Sequence, residues 1–473
     1  MSFRLFAKRP QRAPIPFEFR MPRTDAFLHR HFSGDTLDYR QILAIFLPIL
    51  LDQAFLVSMN FLNTAMISSS GDAAVSAVNM VDSVNNFLIS ILISVSTGGT
   101  VVVAQCKGRG DLRRIPQSVG ATIVTVLGLA ALMSAVVLAF AEPIISLLFG
   151  VADPEVLNNA RIYLMGSVAS YCGIAVMEAV CGALRGIGET RSSLLLSVIM
   201  NGSYVVMNVI LINGIRMGIS GMAISVNVAR YLAAVCAVVL VLKRKNPIFS
   251  RFGELVSVDK LLVKKVMKIG MPFASEQIFF NGGKILTQTF IVQMGLVAQT
   301  VNAISSSIFS LNMIFQSSMV LVIVTVVGQC VGNKDYVQIK KVMRSFLVTL
   351  SLISVVVGGL ILLFFGPMVS LFSSTPEILP ELYQIALMTT IGHATLWGIS
   401  FLTPAALKAG GDAKFTTVVS MLSMWLFRVV LGYLFGIVFG LGVTGVWMAM
   451  VFEWGIRGTI FMVRFRGEKW TKV

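Results

Sequence analysis

The sequence predicts an all-α polytopic membrane protein with twelve transmembrane helices, arranged as two six-helix lobes. Three observations support this prediction. Only 13% of the 473 residues are charged, apolar segments of membrane-spanning length recur along the chain, and the second half repeats motifs of the first. Soluble domains carry about 25% charged residues. The composition therefore argues against a soluble enzyme, a nucleic-acid binder or a disordered protein.

Twelve apolar segments of about 20 to 25 residues are long enough to cross a hydrocarbon core of roughly 30 Å. In chain order, the predicted spans are residues 42–67, 78–104, 117–140, 162–184, 193–213, 220–242, 270–294, 301–330, 345–366, 383–407, 416–439 and 442–463. Their boundaries follow from hydropathy windows. The segment before the first span is polar and basic, and no part of it is typical of a cleavable signal peptide.

Basic residues predict the orientation of these spans. Of the 38 Lys and Arg residues, 32 fall in one alternating set of loops and termini, and only Arg161 and Arg216 fall in the other set. Since cytosolic loops carry an excess of Lys and Arg, both termini should be cytosolic, and the net charge of +16 reflects topology. We expect residues 1–40 to form a basic cytosolic arm resting on anionic lipid headgroups. Residues 243–268 are a cytosolic connector, and 466–473 are a cytosolic tail.

The two halves of the chain repeat each other at a nearly constant offset. Pro48 and Asp52 recur as Pro272 and Glu276, and four further matches follow in the same order: 104–108 with 328–332, 143–147 with 367–371, 184–189 with 407–412, and 218–221 with 442–445. Six helices per half give both halves the same orientation. We therefore expect an N-lobe (41–242) and a C-lobe (269–465), related by a pseudo-twofold axis along the membrane normal, as in transporters with parallel repeats.

The repeated motifs also resemble a known family. Gly-Asp-Ala-Ala-Val at 71–75, the Gln-x-x-Gly ends of the second and eighth spans, and the segments 184–190, 408–412 and 453–457 are similar to the multidrug and toxic compound extrusion (MATE) family, in the branch of DNA-damage-inducible exporters. The resemblance covers about residues 40–470. It implies two lobes around a central cavity and export of drugs or metabolites in exchange for Na⁺ or H⁺.

Four acidic residues inside predicted spans are candidate sites for the coupling cation or proton: Asp52, Asp82, Glu178 and Glu276. An ionisable side chain at the bilayer centre costs at least roughly 2.5–3.5 kcal/mol, so each needs a reason. Asp52 and Glu276 follow the repeated prolines, which leave a carbonyl one turn earlier without its donor and thus offer a protonated carboxyl a local partner. We rank Glu276 ahead of Asp52. The alternative is a purely structural hydrogen-bonding role.

Polar residues at helical spacing on otherwise apolar spans are predicted to line the cavity between the lobes, because facing lipid would be costly. The alternative is hydrogen bonding between helices. The predicted cavity residues are Asn63, Asn79, Asn86, Asn201, Tyr204, Asn208, Thr287, Asn302, Asn312, Gln316, Lys284 and Arg428.

Two of these positions depart from the pattern that the resemblance implies. Many ion-coupled members carry an aspartate where Asn63 stands, and often another where Asn208 stands, which puts the usual N-lobe cation site in doubt.

Three further residues have predicted partners or surroundings. Arg428 is the predicted ion partner of Glu276. Glu453 and Arg457, four residues apart on one helix, are expected to pair with each other. His393 is interpreted as a packing residue, with a proton relay as the alternative.

The function most consistent with these patterns is secondary-active export of multidrug or metabolite substrates, organic and cationic or amphipathic, by alternating access against H⁺ or Na⁺. A flippase for a lipid-linked precursor is the alternative. A membrane-embedded transferase would need clustered acids or a second membrane histidine, so we predict no enzyme activity. We predict no metal, no cofactor beyond the coupling ion and no disulfide. The expected partners are a small molecule and the bilayer, for a monomer in a bacterial cell membrane.

Overall fold

The computed structural model of this chain describes residues 22–67, 71–149, 153–243, 259–370, 372, 376–467 and 469–472. The described chain is almost entirely helical. The helices of the arm and first half are α1 (Pro22–Phe32), α2 (Tyr39–Ile67), α3 (Asp72–Gly108), α4 (Arg114–Ala139), α5 (Ala141–Phe149), α6 (Pro154–Ala169), α7 (Tyr171–Ile187), α8 (Thr190–Asn208) and α9 (Gly218–Leu242).

The second half follows the same order. Its helices are α10 (Lys260–Gln293), α11 (Leu296–Gly332), α12 (Tyr336–Leu363), α13 (Phe365–Ser370), α14 (Leu379–Gly392), α15 (Thr403–Ala409), α16 (Ala413–Ser423) and α17 (Gly442–Arg466). Wider π-helical turns extend α8 over Val209–Gly214, join α14 to α15 over His393–Leu402, and extend α16 over Met424–Val430 and Leu434–Val438.

These elements form twelve spans in two lobes. Ten helices of the described chain are long and apolar enough to cross a membrane, and α6 with α7 passes the same test as a pair bent by 45°. The twelfth span is α10, whose apolar part is interrupted by Glu276 and Lys284. The predicted all-α, twelve-helix, two-lobe architecture is confirmed.

The backbone repeats as closely as the motifs do. Left-handed residues, which favour glycine, occur at ten described positions, and all ten form pairs that follow the offset of the sequence repeat: Gly71 with Gly295, Gly110 with Lys334, Gly188 with Gly411, Arg216 with Gly440, and Gly218 with Gly442. The φ angles of the first pair are 94° and 99°, and those of the last are 55° and 59°. The same turns therefore recur between the same helices in both lobes.

The repeated proline of the first lobe has its freed carbonyl occupied. Pro48 lies inside α2 and has no N–H to donate to the carbonyl of Ala44, four residues earlier. The Thr190 hydroxyl at the start of α8 donates to that carbonyl at 3.2 Å. Ala44 lies eight residues before Asp52, about 12 Å along the helix, so the expectation that a protonated Asp52 would use this carbonyl is wrong.

The lobes meet at the end where α3 and α11 finish, which is the end predicted to be cytosolic. Gln105 on α3 donates to the carbonyl of Ala409 in the C-lobe at 3.1 Å, and its repeat equivalent Gln329 on α11 donates to Gly186 of the N-lobe at 2.8 Å. A Cβ added at Gly108 would lie 1.9 Å from the Gln329 carbonyl oxygen. The helices can cross this closely only because glycine has no side chain.

The part of the arm nearest the membrane docks on protein. Gln338 of α12 accepts from the backbone N–H of Thr36 and of Leu37 at 3.0 and 3.1 Å, and donates to the Leu37 carbonyl at 2.6 Å. The Phe32 ring packs 5.9 Å from that of Phe346. These residues therefore dock on α12 of the protein, and contact of the arm with lipid headgroups stays a prediction. Residues 1–21 lie outside the described part of the chain.

The orientation remains a prediction, and cysteine labelling tests it. Single cysteines at exposed Glu155 and Glu377 should react with a membrane-impermeant maleimide added to intact cells, in a background lacking the native cysteines. A cysteine at exposed Lys260 should react only after permeabilisation. Labelling of 260 alone in intact cells would reverse the topology.

Candidate functional site

A cavity of about 590 Å³ lies between the two lobes. Its wall is built from α2, α3, α7 and α8 of the N-lobe, and from α10, α11, the π-helical segments and α17 of the C-lobe. Five of the predicted site residues line it: Asp52, Glu178, Glu276, Lys284 and Arg428. The cavity therefore brings together predicted residues from both halves of the chain.

The N-lobe wall carries one ion pair and one unpaired acid. Arg185 contacts Glu178 at 3.1 Å, and both lie on α7. Asp52 on α2 is only 8% exposed, and its Oδ1 has no hydrogen-bond partner. Of the acids that line the described cavity wall, Asp52 alone has no ion pair. A buried carboxylate oxygen without a partner is costly, so this position favours binding of a proton or cation.

The C-lobe wall shows a repeat-related but different arrangement. Glu276, the counterpart of Asp52, pairs with Lys408, the counterpart of Arg185. The Lys408 ammonium also lies 4.5 Å from the centre of the Phe273 ring. Our prediction that Arg428 is the partner of Glu276 is therefore wrong. Lys408 at the end of α15 reaches Glu276 first, and Arg428 points to another acid.

That acid is Glu453, which holds a buried network together. Glu453 is fully buried and contacts Arg457 at 3.0 Å, as predicted, and Arg428 at 3.2 Å. The Ser423 hydroxyl donates to its Oε1 at 3.3 Å, and Arg457 donates from Nε to Ser400 at 2.8 Å. One carboxylate thus serves two arginines that both line the cavity.

Aromatic side chains supply the apolar part of the C-lobe wall. The rings of Trp397 and Phe401 are stacked at 4.7 Å on the π-helical segment. His393, one turn away, packs against Phe309 at 4.8 Å and Trp454 at 5.2 Å. Those contacts favour its interpretation as a packing residue. The wall can therefore accept a flat apolar group beside its charges.

Asp82 lies in a second polar cluster, inside the N-lobe. The Tyr163 hydroxyl donates to its carboxylate at 3.0 Å, and Asn85 contacts the same oxygen at 3.4 Å. Tyr171 in turn donates to Asn85 at 2.8 Å. Two other predicted residues, Tyr204 and Asn208, are buried on α8. This cluster is separate from the wall of the inter-lobe cavity.

The remaining predicted residues whose side chains are described do not line that cavity. Asn79 and Asn86 are exposed on α3, and Asn312 and Gln316 are buried on α11. The others bond within or between helices. Asn201 donates to the Ser197 carbonyl, Thr287 donates to the Lys284 carbonyl, and Asn302 donates to Gln288 and accepts from Trp447. The side chain of Asn63 lies outside the described ones.

Sequence reasoning misses three functional candidates. Arg185 and Lys408 fall at the ends of apolar segments, where basic residues are typical of cytosolic loops, and Arg457 has only a structural pair predicted for it. The repeat carries the missing signal: Arg185 and Lys408 occupy matched positions, as Asp52 and Glu276 do. Two basic residues at repeat-equivalent positions are expected to occupy the same place in their respective lobes.

No group of three or more His, Cys, Asp or Glu side chains in the described ranges could hold a metal ion. The ionisable groups of the site are instead arranged as salt bridges around a space. These ionisable groups can therefore bind a cation, a proton or a charged organic molecule.

Comparison with known proteins agrees with this architecture. A family model described as MatE matches residues 48–210 and again 272–434, so the two matches follow the same offset as the sequence repeat. YisQ of Bacillus subtilis, an uncharacterized transporter, is 26% identical over 89% of this chain and 93% of its own. A probable multidrug resistance protein NorM of Thermotoga maritima is 24% identical over 92% and 93%.

Among solved structures, the outward-facing conformation of a multidrug resistance MATE family transporter superimposes with a TM-score of 0.83 at 17% identity. The likeness covers 91% of this chain and 96% of that one. Because the family model matches well over half of the residues, once in each lobe, this chain belongs to the MATE family of multi-pass membrane transporters.

Proposed function

We propose that this protein is a secondary-active exporter of organic molecules, driven by H⁺ or Na⁺. The observation that carries the proposal is the cavity between two repeat-related lobes, with a buried Asp52 on its wall that has no ion pair among the described residues and whose Oδ1 has no hydrogen-bond partner. Two lobes that share one central site can rock about it, which gives alternating access. The names of the similar proteins, which include multidrug resistance proteins, support export rather than lipid flipping.

In this proposal Asp52 is the first residue to bind the coupling ion. Glu276 ranks first on sequence because the N-lobe lacks two acids that the family resemblance implies. In this conformation, however, Glu276 already has Lys408 as a counter-ion, whereas Asp52 has none. A carboxylate without a counter-ion has more to gain from a proton or Na⁺. Glu178, paired with Arg185 beside Asp52, would respond to that binding event.

The end of the molecule at which the two lobes meet is consistent with alternating access. The two glutamine bonds from Gln105 and Gln329 cross between the lobes, and a switch to the opposite opening must break both. If that end is cytosolic, as the basic loops predict, the cavity of this conformation serves release to the outside. Since both lobes come from one chain, a monomer contains the complete pathway.

Transport into liposomes tests the proposal. Purified protein reconstituted without any ATP should accumulate fluorescent organic substrates when ΔpH or ΔNa⁺ is imposed, and collapse of that gradient by an ionophore should stop accumulation. Liposomes without protein are the control. If no imposed gradient moves any organic ion of either charge, the exporter proposal is wrong.

A further inference from the structure

The charges around the cavity do not balance equally on its two walls. On the C-lobe side, Glu276 neutralises Lys408, but Glu453 must serve both Arg428 and Arg457. Lys284 forms no salt bridge with any described acid. The C-lobe side therefore carries two positive charges more than its acids neutralise, whereas the N-lobe wall has the single unpaired acid Asp52.

The two excess cations lie on one aromatic surface. The Lys284 ammonium is 5.4 Å and the Arg428 guanidinium 5.2 Å from the centre of the same Phe280 ring. Lys284 is exposed, and it lines the cavity together with Phe280 and Arg428. This places two positive groups and a flat apolar face within reach of one small molecule.

Hydrogen-bond donors on the same wall lack acceptors. Arg428 is 5% exposed and Arg457 2% exposed, yet Nε of Arg428 and Nη2 of Arg457 have no partner. Buried donors in native proteins are almost always satisfied. Guanidinium groups bind carboxylate and phosphate oxygens in pairs, and these two unpartnered nitrogens show that this wall has more donor groups than the described acids and hydroxyls satisfy.

We propose that the C-lobe wall binds the acidic group of an organic anion, with Lys284 and Arg428 holding a carboxylate, sulfonate or phosphate and Phe280 and Trp397 holding the apolar body. The inference rests on the proposed transport function and names its substrate class. It differs from the cationic substrates expected on sequence. The acid can belong to a free organic anion or to a lipid-linked phosphate, which offer the same chemistry to this wall.

Binding to the full-length protein in detergent tests this without any gradient. The probes are dansylglycine (anionic), dansylglycinamide (neutral) and dansylcadaverine (cationic), measured by equilibrium dialysis against empty micelles. Because a charge-assisted contact is worth about one order of magnitude in affinity, dansylglycine should bind about tenfold more tightly than dansylglycinamide. Dansylcadaverine should bind most weakly.

Lys284 is the residue to vary, since no described acid forms a salt bridge with it. Lys284→Gln should weaken dansylglycine about tenfold and leave dansylglycinamide unchanged. Lys284→Glu should reverse the order, so that dansylcadaverine binds more tightly than dansylglycine. Lys264→Gln, an exposed lysine on the same helix outside this cavity, is the matched control and should change nothing.

The outcomes separate this inference from the transport proposal. Equal binding of the three probes, tightest binding of dansylcadaverine, or unchanged dansylglycine affinity in Lys284→Gln would overturn it. Anion binding by a protein that no gradient drives would keep the inference and defeat the exporter. If a polyprenyl pyrophosphate displaces dansylglycine at a far lower concentration than free pyrophosphate does, the ligand is a lipid-linked phosphate. If both displace it at the same concentration, the ligand is a free organic anion.

Discussion

Asp52→Asn is expected to abolish gradient-driven accumulation while leaving the protein folded. The substitution keeps the shape of the side chain but removes the negative charge, and Asp52 forms no ion pair in the described structure that the fold would lose. One charge moved through 100 mV is worth about 2.3 kcal/mol, so a single carboxyl can support roughly fifty-fold accumulation. In proteoliposomes with an imposed gradient, the variant should fall to equilibrium levels.

Two comparisons make this result specific. Glu276→Gln should also reduce transport, but by leaving Lys408 buried without its partner, and Lys408→Met in the same chain should restore part of it. Removal of a nearby basic residue should not restore transport by Asp52→Asn. Glu155→Gln, an exposed acid outside the cavity, serves as the control. Full gradient-driven transport by Asp52→Asn would remove this residue from coupling and leave Glu276, Glu178 and Asp82 to be tested.

The second large effect concerns stability. Glu453→Gln removes the carboxylate shared by two buried arginines, Arg428 and Arg457. Removing one partner of a buried ion pair costs about 3–5 kcal/mol, because the remaining charge stays in a low-dielectric environment. We expect the lowest unfolding temperature of the acid-to-amide variants, measured on protein purified in detergent.

A partial rescue would establish the cause. Arg457→Met added to Glu453→Gln should recover part of the stability, because it removes one of the two unpaired charges. Glu381→Gln is the control, since its half-buried carboxylate only accepts long hydrogen bonds from Thr444 at 3.3 and 3.4 Å. Unfolding of Glu453→Gln at the wild-type temperature would show that the network does not stabilise the fold.

Most of the fold followed from the sequence because hydropathy, charge bias and the internal repeat are one-dimensional signals. The Glu453–Arg457 pair was predictable for the same reason, since residues four apart on a helix are neighbours. The partner of Arg428 was not. Arg428 lies in π-helical turns over Met424–Val430, where the extra residue per turn rotates side chains away from the positions that an ideal α-helix gives.

The predicted polar stripes illustrate a related limit. Asn302 is polar and lies on the expected helix, but its amide joins Gln288 to Trp447 instead of lining the inter-lobe cavity. Sequence spacing places a residue on a face of its helix and does not say which neighbour covers that face. That depends on how each helix is rotated about its axis, which is decided by packing against its neighbours, including close contacts between the lobes such as that of Gly98 with Gly270.

The docking of the arm on α12 has a consequence for the order of assembly during synthesis. Thr36 and its acceptor on Gln338 are 302 residues apart, so at about 5–20 residues per second the arm leaves the ribosome roughly 15 to 60 s before its binding surface exists. From its completion at residue 242, the first lobe lacks the arm contact until Gln338 has been made, and it lacks the Gln105 bond until Ala409 has been made. The arm contact needs the chain through α12, and the Gln105 bond needs the chain through α15. The first lobe must therefore persist in the bilayer on its own packing until the second half supplies these two contacts.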